Sequence, residues 1–193
     1  MAHGHGHGHG AEVSESTKTI AIIISVLALL LAIAETAGKS AQTDAIRHNI
    51  EAANYWAFFQ AKTIRRTTVA TAADTMQLDI EFARDLTIKE KLEKRVAEWR
   101  KEAQRYRSEP QTGEGSEELA KRAQDAGKKS VTALAKYHHY EIASAAFQIA
   151  IVLASASIIT GAVYMLWAAG GLGLLGIVFL GIGLIVPTAV HIF

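Results

Sequence analysis

Apolar and charged residues are distributed differently from one segment of this chain to the next. The stretch "TIAIIISVLALLLAIA" at 19–34 is almost uninterrupted apolar sequence, and residues 142–169 and 171–190 contain no Asp, Glu, Lys or Arg. A bilayer core of about 30 Å takes roughly 20 apolar residues as a helix, so each of the three is long enough to span, the first once it is extended through the small residues to Gly38. Between them, residues 40–73 contain neither Pro nor Gly and show helical spacing on two faces at once. Ile46, Ile50, Ala53, Ala57 and Ile64 share one face, and Ala45, Ala52, Trp56, Phe59 and Thr63 share its neighbour. A helix with two seams needs partners on two sides, and a single hairpin partner covers one.

Downstream, 71–86 is less regular and predicts a bend or reversal. Thr87 followed by Glu90 reads as a capping box, and Leu92, Val96, Trp99, Ala103 and Tyr106 then keep heptad spacing among many charges, a solvated coiled-coil-like helix. "SEPQTGEG" at 108–115 is the clearest break, after which Ser116 is placed to cap a helix whose first turn carries Glu117 and Glu118. No Pro interrupts that helix before Gly161. At about 1.5 Å per residue, 36–107 is far longer than the 116–140 return, so the outgoing arm has to bend or fold back, best within 71–86. Tyr137 and Tyr140 at the start of the second span, with Tyr164 and Trp167 at its expected exit, form aromatic belts, leaving "AAGGLG" as the hairpin to the third.

The expected fold is therefore all-α: three transmembrane helices with a cytoplasmic antiparallel helical, coiled-coil-like bundle inserted between the first and second spans. The boundaries are a disordered tail at 1–18, spans at 19–38, 141–169 and 171–190, and a helical domain at 39–140 broken near 108–115. A cleaved signal peptide competes for the first apolar run, but Glu35 and a continuing helical pattern follow it where a cleavage site would stand.

Charge adds orientation. Of 20 Lys and Arg residues, 19 fall within 36–140, which places that segment in the cytoplasm, with the N-terminus outside. These cations are offset by 15 acidic residues in the same segment and the net charge is +1, so nucleic acid is not an expected partner. The chain has no cysteine, which excludes disulfides and thiolate metal sites.

Candidate chemistry is sparse. No phosphate-binding glycine loop, nucleophile elbow or zincin motif is present, and no enzyme activity or cofactor is expected. The alternating tract "MAHGHGHGHG" offers His3, His5, His7 and His9 as weak ligands for Zn, Ni or Cu, although a purification tag has the same pattern. His138 and His139 are adjacent and point about 100° apart on a helix, so they cannot hold one ion from a common face. Within the spans the polar residues are few; Gln148 is a candidate for bridging helices, Ser157 for close helix approach, and Gln148 and Thr160 for lining a pore in an oligomer.

The aromatic and basic string "NYWAFFQAKTIRR" at 54–66 marks Tyr55, Trp56, Phe59, Lys62, Arg65 and Arg66 as interaction candidates. Three functions are open: self-association or docking of a protein partner through the aromatics, insertion of the aromatics in a membrane surface with Lys62, Arg65 and Arg66 on anionic lipid, or a channel or transporter whose pore an oligomer builds from polar span residues such as Gln148 and Thr160. A homo-oligomer in a lipid bilayer is the leading expectation. This string and "AAFQIAIVLASASI" at 145–158 resemble a family of small bacterial membrane proteins known as domain of unknown function 4337. The resemblance covers most of the chain and implies a three-span protein of the bacterial inner membrane; it implies no activity.

Overall fold

The computed structural model describes residues 15–188. His3, His5, His7 and His9, the candidate metal ligands, lie outside them. Four α-helices follow in order: α1 Glu15–Phe82, α2 Leu86–Arg107, α3 Ser116–Thr160 and α4 Val163–Ile185. Residues 15–18, expected to belong to the disordered tail, are already helical, and the Thr19 hydroxyl donates to the Glu15 carbonyl at 3.0 Å. The described chain divides into two compact units, the first from within 1–42 and 134–193, the second from 43–133.

In the first unit the N-terminal part of α1, the C-terminal part of α3 and α4 pack as three apolar helices. Each of α1, α3 and α4 contains a window long and apolar enough to cross a membrane. Their contact seam is built mostly from small residues: Ala143, Ala150 and Ala154 of α3 flank Phe147 and cluster with Leu27 and Ala34 of α1 and Ala169 of α4. Small side chains let the three helices approach closely, the kind of packing that membrane helices use. Gly173, Gly176 and Gly183 continue the buried face of α4. At Gly176 an added Cβ would stand 2.6 Å from the Phe147 ring, so α4 approaches α3 this closely because no side chain intervenes.

The break between α3 and α4 shifts the expected end of the second span. It falls at Gly161 and Ala162, inside 141–169, and not in "AAGGLG". Gly161 takes φ +70°, a left-handed conformation that glycine adopts without strain. Its N–H donates to the Ser157 carbonyl, while Thr160 Oγ1 accepts from Ala162 N. Tyr164 and Trp167 consequently begin α4 and do not close the preceding helix. Gly170 and Gly171 are helical, since glycine with negative φ continues a helix that apolar neighbours sustain on both sides.

The second unit is an antiparallel hairpin. Residues 43–82 of α1 run out for about 60 Å, and α2 with residues 116–133 of α3 bring the chain back over about the same length. The inward positions of α1, namely Ala45, His48, Ala52, Tyr55, Phe59 and Lys62, keep a strict three-four spacing and are buried or half-buried. Farther along, Ala73, Met76 and Ile80 pack on Leu92, Val96 and Trp99 of α2. That heptad spacing keeps α1 helical through 71–82, the stretch expected to be irregular; the reversal is confined to 83–85. Asp85, and not Thr87, caps α2: its Oδ1 accepts from Thr87 N at 2.7 Å and Ile88 N at 3.3 Å. The short carboxylate one residue ahead of the helix reaches two of the first-turn N–H groups that lack an intrahelical partner.

Ser116 also departs from its expected role. It is the first residue of α3, and its hydroxyl donates back to the Arg107 carbonyl at 3.1 Å. Around the 108–115 connection, Glu118 accepts from Ser108 Oγ at 2.6 Å and from Glu109 N at 3.2 Å, and Arg107 Nε donates to Glu117 at 2.8 Å. Together these contacts splice the end of α2 to the start of α3.

Candidate functional site

The aromatic and basic string lies in the part of α1 that belongs to the second unit, and the hairpin sends its residues in different directions. Tyr55, Phe59 and Lys62 occupy the inward seam. Arg122 of α3 lies over the Tyr55 ring at 6.0 Å, and Lys62 Nζ lies 5.6 Å from the Tyr106 centroid and 3.6 Å from Glu114. Trp56 stands at the margin, edge-on to Phe59 with ring centroids 5.3 Å apart. Arg65 lines a groove of about 390 Å³ with Phe58, Lys62, Glu114 and Arg122 among others. Arg66 lines a separate groove with Asp74, Arg100 and Arg107. The expected basic collar is thus split: Lys62 is engaged by Glu114, and the two arginines serve different grooves.

The first groove sets Lys62, Arg65 and Arg122 against one carboxylate, Glu114, beside the exposed ring of Phe58. Periodicity along the string singles out neither Arg122 nor Glu114, since they are far from it in the chain and reach it only through the hairpin. Nearby, hydrogen bonding from Ser108 holds the Glu118 carboxyl below the usual carboxylate range, helped by the Glu109 amide and by Arg122; partial desolvation opposes this.

A second feature of this unit is how side-chain size is distributed between its interior and its surface. The interior is largely alanine: Ala45, Ala52, Ala73, Ala123, Ala126 and Ala133 are buried. Ile80, Val96 and Leu119 are larger aliphatic side chains buried with them, while other large side chains lie outside. Ile46, Ile50 and Ile64, on the other face recognised in the sequence, are 55%, 56% and 66% exposed, and Ala53 and Ala57 between them are exposed as well. Alanine against alanine lets two helices approach closely but removes little apolar surface from water; the isoleucines that would remove more are left outside. A contiguous outward apolar stripe is the usual mark of an interaction surface.

In the first unit the polar candidates are engaged within the chain. Gln148 Nε2 donates to Glu35 at 3.2 Å, Ser157 is buried, and Thr160 Oγ1 donates to the Ala156 carbonyl at 2.9 Å. His139 is buried against Phe179, with Nε2 3.0 Å from the Pro187 carbonyl and Nδ1 without a partner among the described residues. The close approach of α4 at Gly183 encloses it.

These features describe an all-α protein with three helices long and apolar enough to cross a membrane and a helical hairpin carrying an outward apolar stripe. The chain belongs to the family described as domain of unknown function (DUF4337), whose model matches residues 16–186. No curated protein and no solved structure matches it.

Proposed function

We propose that this protein is a non-enzymatic interaction protein of the bacterial inner membrane, anchored by three spans, whose cytoplasmic hairpin docks another helix along the outward face of α1. The observation that carries this reading is the exposed apolar stripe of Ile46, Ile50 and Ile64 on α1, beside an inward face whose buried positions there are Ala45 and Ala52. An apolar stripe at heptad spacing is satisfied by a second helix and is costly when left in water. The excess of Lys and Arg within 36–140 supports the cytoplasmic assignment. The stripe takes over the docking role that the sequence pattern assigns to Trp56 and Phe59, because Phe59 belongs to the inward seam while Trp56 remains at its edge.

A photoreactive residue in place of Ile50 or Ile64, in the full-length protein in its native membrane, tests the reading. Protein adducts should form at both positions, and Ile46→Glu should suppress the adduct at position 50 without loss of helicity. Absence of protein adducts along the whole stripe sinks the proposal. A second reading, anionic lipid as the ligand, draws on the groove where Arg65 and Arg122 lie beside Phe58. Salt-sensitive liposome binding by the 43–133 unit, lost on Arg65→Glu, is its distinguishing result.

A further inference from the structure

The stripe on α1 reads as one seam of a coiled coil, in which Ile50, Ala57 and Ile64 take the a positions and Ile46, Ala53 and Gln60 the d positions. All six are exposed. Isoleucine stands at two of these three a positions and at one of the three d positions. The residues flanking the seam at e and g are Arg47, Asn49, Asn54, Trp56, Ala61 and Thr63. Only Arg47 is charged, and it is bridged to Asp44 of its own helix at 2.9 Å. A partner selected by charge would find almost nothing to read there, whereas a helix with equally neutral flanks meets no repulsion.

We infer that the occupant of the stripe is a second copy of this chain, paired with α1 parallel to α1 and in register. This rests on the proposed docking role of the stripe. Three features of the chain favour it. The apolar segment at 19–34 and the stripe are carried on the same helix, α1, so two copies inserted in one bilayer in the same sense emit their stripes from the same side. Register is set by Gln60, the one polar residue in the seam between 46 and 64: in-register pairing places the two amides opposite one another, where they can exchange hydrogen bonds, whereas a shift of one heptad leaves each against alanine or threonine. Size also matches, because a parallel pair sets Trp56 at g beside Ala61 at e of the other copy, a large ring against a small side chain. This gives the exposed side of Trp56, which is edge-on to Phe59 within its own hairpin, a surface to cover.

The absence of cysteine makes the test direct. Single substitutions Ala53→Cys, Ala57→Cys and Phe58→Cys are made in the full-length protein and oxidised in native membranes. Disulfide formation requires Cα atoms within about 7 Å, a separation available across a parallel seam and not from the b position of residue 58. A several-fold excess of covalent dimer for Ala53→Cys and Ala57→Cys over Phe58→Cys is expected. Equal yields at the three positions overturn the inference. So does an antiparallel signature, in which co-expressed Ile46→Cys and Ile64→Cys chains give more of the mixed 46–64 dimer than Ala57→Cys gives of its own. Adducts from the photoreactive residue at position 50 separate the two levels of the argument. An adduct of twice the chain mass agrees with the pair; one with a different protein overturns self-pairing but leaves the docking role intact; no protein adduct overturns both.

Discussion

Gly176→Ala isolates the close approach of α4 to α3. The added Cβ would lie 2.6, 2.8 and 2.9 Å from three atoms of the Phe147 ring, and that ring is fully buried, so it has no open side to move toward. Overpacking of this kind costs about 1–3 kcal/mol. Replacing glycine with alanine in a helix gains up to about 1 kcal/mol, which opposes the clash. Gly170→Ala supplies the control: it lies in the same helix, its added Cβ meets nothing within 4 Å, and the propensity gain applies to it alike. Subtracting one variant from the other therefore leaves the clash, about 1–3 kcal/mol. Equilibrium unfolding of the full-length protein in mixed micelles, followed by far-UV circular dichroism, measures the difference. Phe147→Leu in the Gly176→Ala background should recover part of the loss, with a coupling of about 0.5–3 kcal/mol. Equal stability for the two glycine variants would falsify the claim that the α3–α4 distance is set at Gly176.

Asp85→Ala removes the acceptor for Thr87 N and Ile88 N and should cost about 1 kcal/mol, appearing as faster hydrogen exchange in the first turn of α2 and unchanged exchange in α3. The lowered pKa of Glu118, caused first by the Ser108 hydroxyl, ties the splice between α2 and α3 to pH. Because the folded value lies below the unfolded one, its stabilisation is complete above the unfolded carboxylate range and is lost as pH falls through the folded value. Hydrogen-exchange protection at 108–118, taken relative to the intrinsic rate at each pH, should fall over that acid window, and Glu118→Gln should flatten the response; an unaltered response in the variant assigns the pH dependence elsewhere.

Much of the architecture was legible because helical periodicity and apolar length are local properties. The heptad from Leu92 to Tyr106 and the break at 108–115 appear where the spacing put them. The two faces of 40–64 were also visible, since a helix's faces follow from 3.6 residues per turn. Other features depended on geometry that a linear reading does not contain. "AAGGLG" looked like a turn because glycine is a common breaker, yet Gly170, Gly171 and Gly173 are helical and the left-handed Gly161 makes the turn. Thr87 looked like a cap until Asp85, one residue ahead of α2, proved to hold the free amides.

The candidate site divides in the same way. Amino-acid order alone establishes that α1 has two seams, that the apolar segments are long enough to span a bilayer, and that the chain has no thiol. Packing chose which seam is used within the chain, because only the docking of α3 and α2 turns the Ala45–Ala52–Phe59 face inward and leaves Ile46, Ile50 and Ile64 outside. Packing also kept Lys62, Arg65 and Arg66 from acting as one collar, since Glu114 and Arg122 reach that part of α1 from far along the chain. Periodicity defines a face, whereas burial depends on which neighbour arrives to cover it.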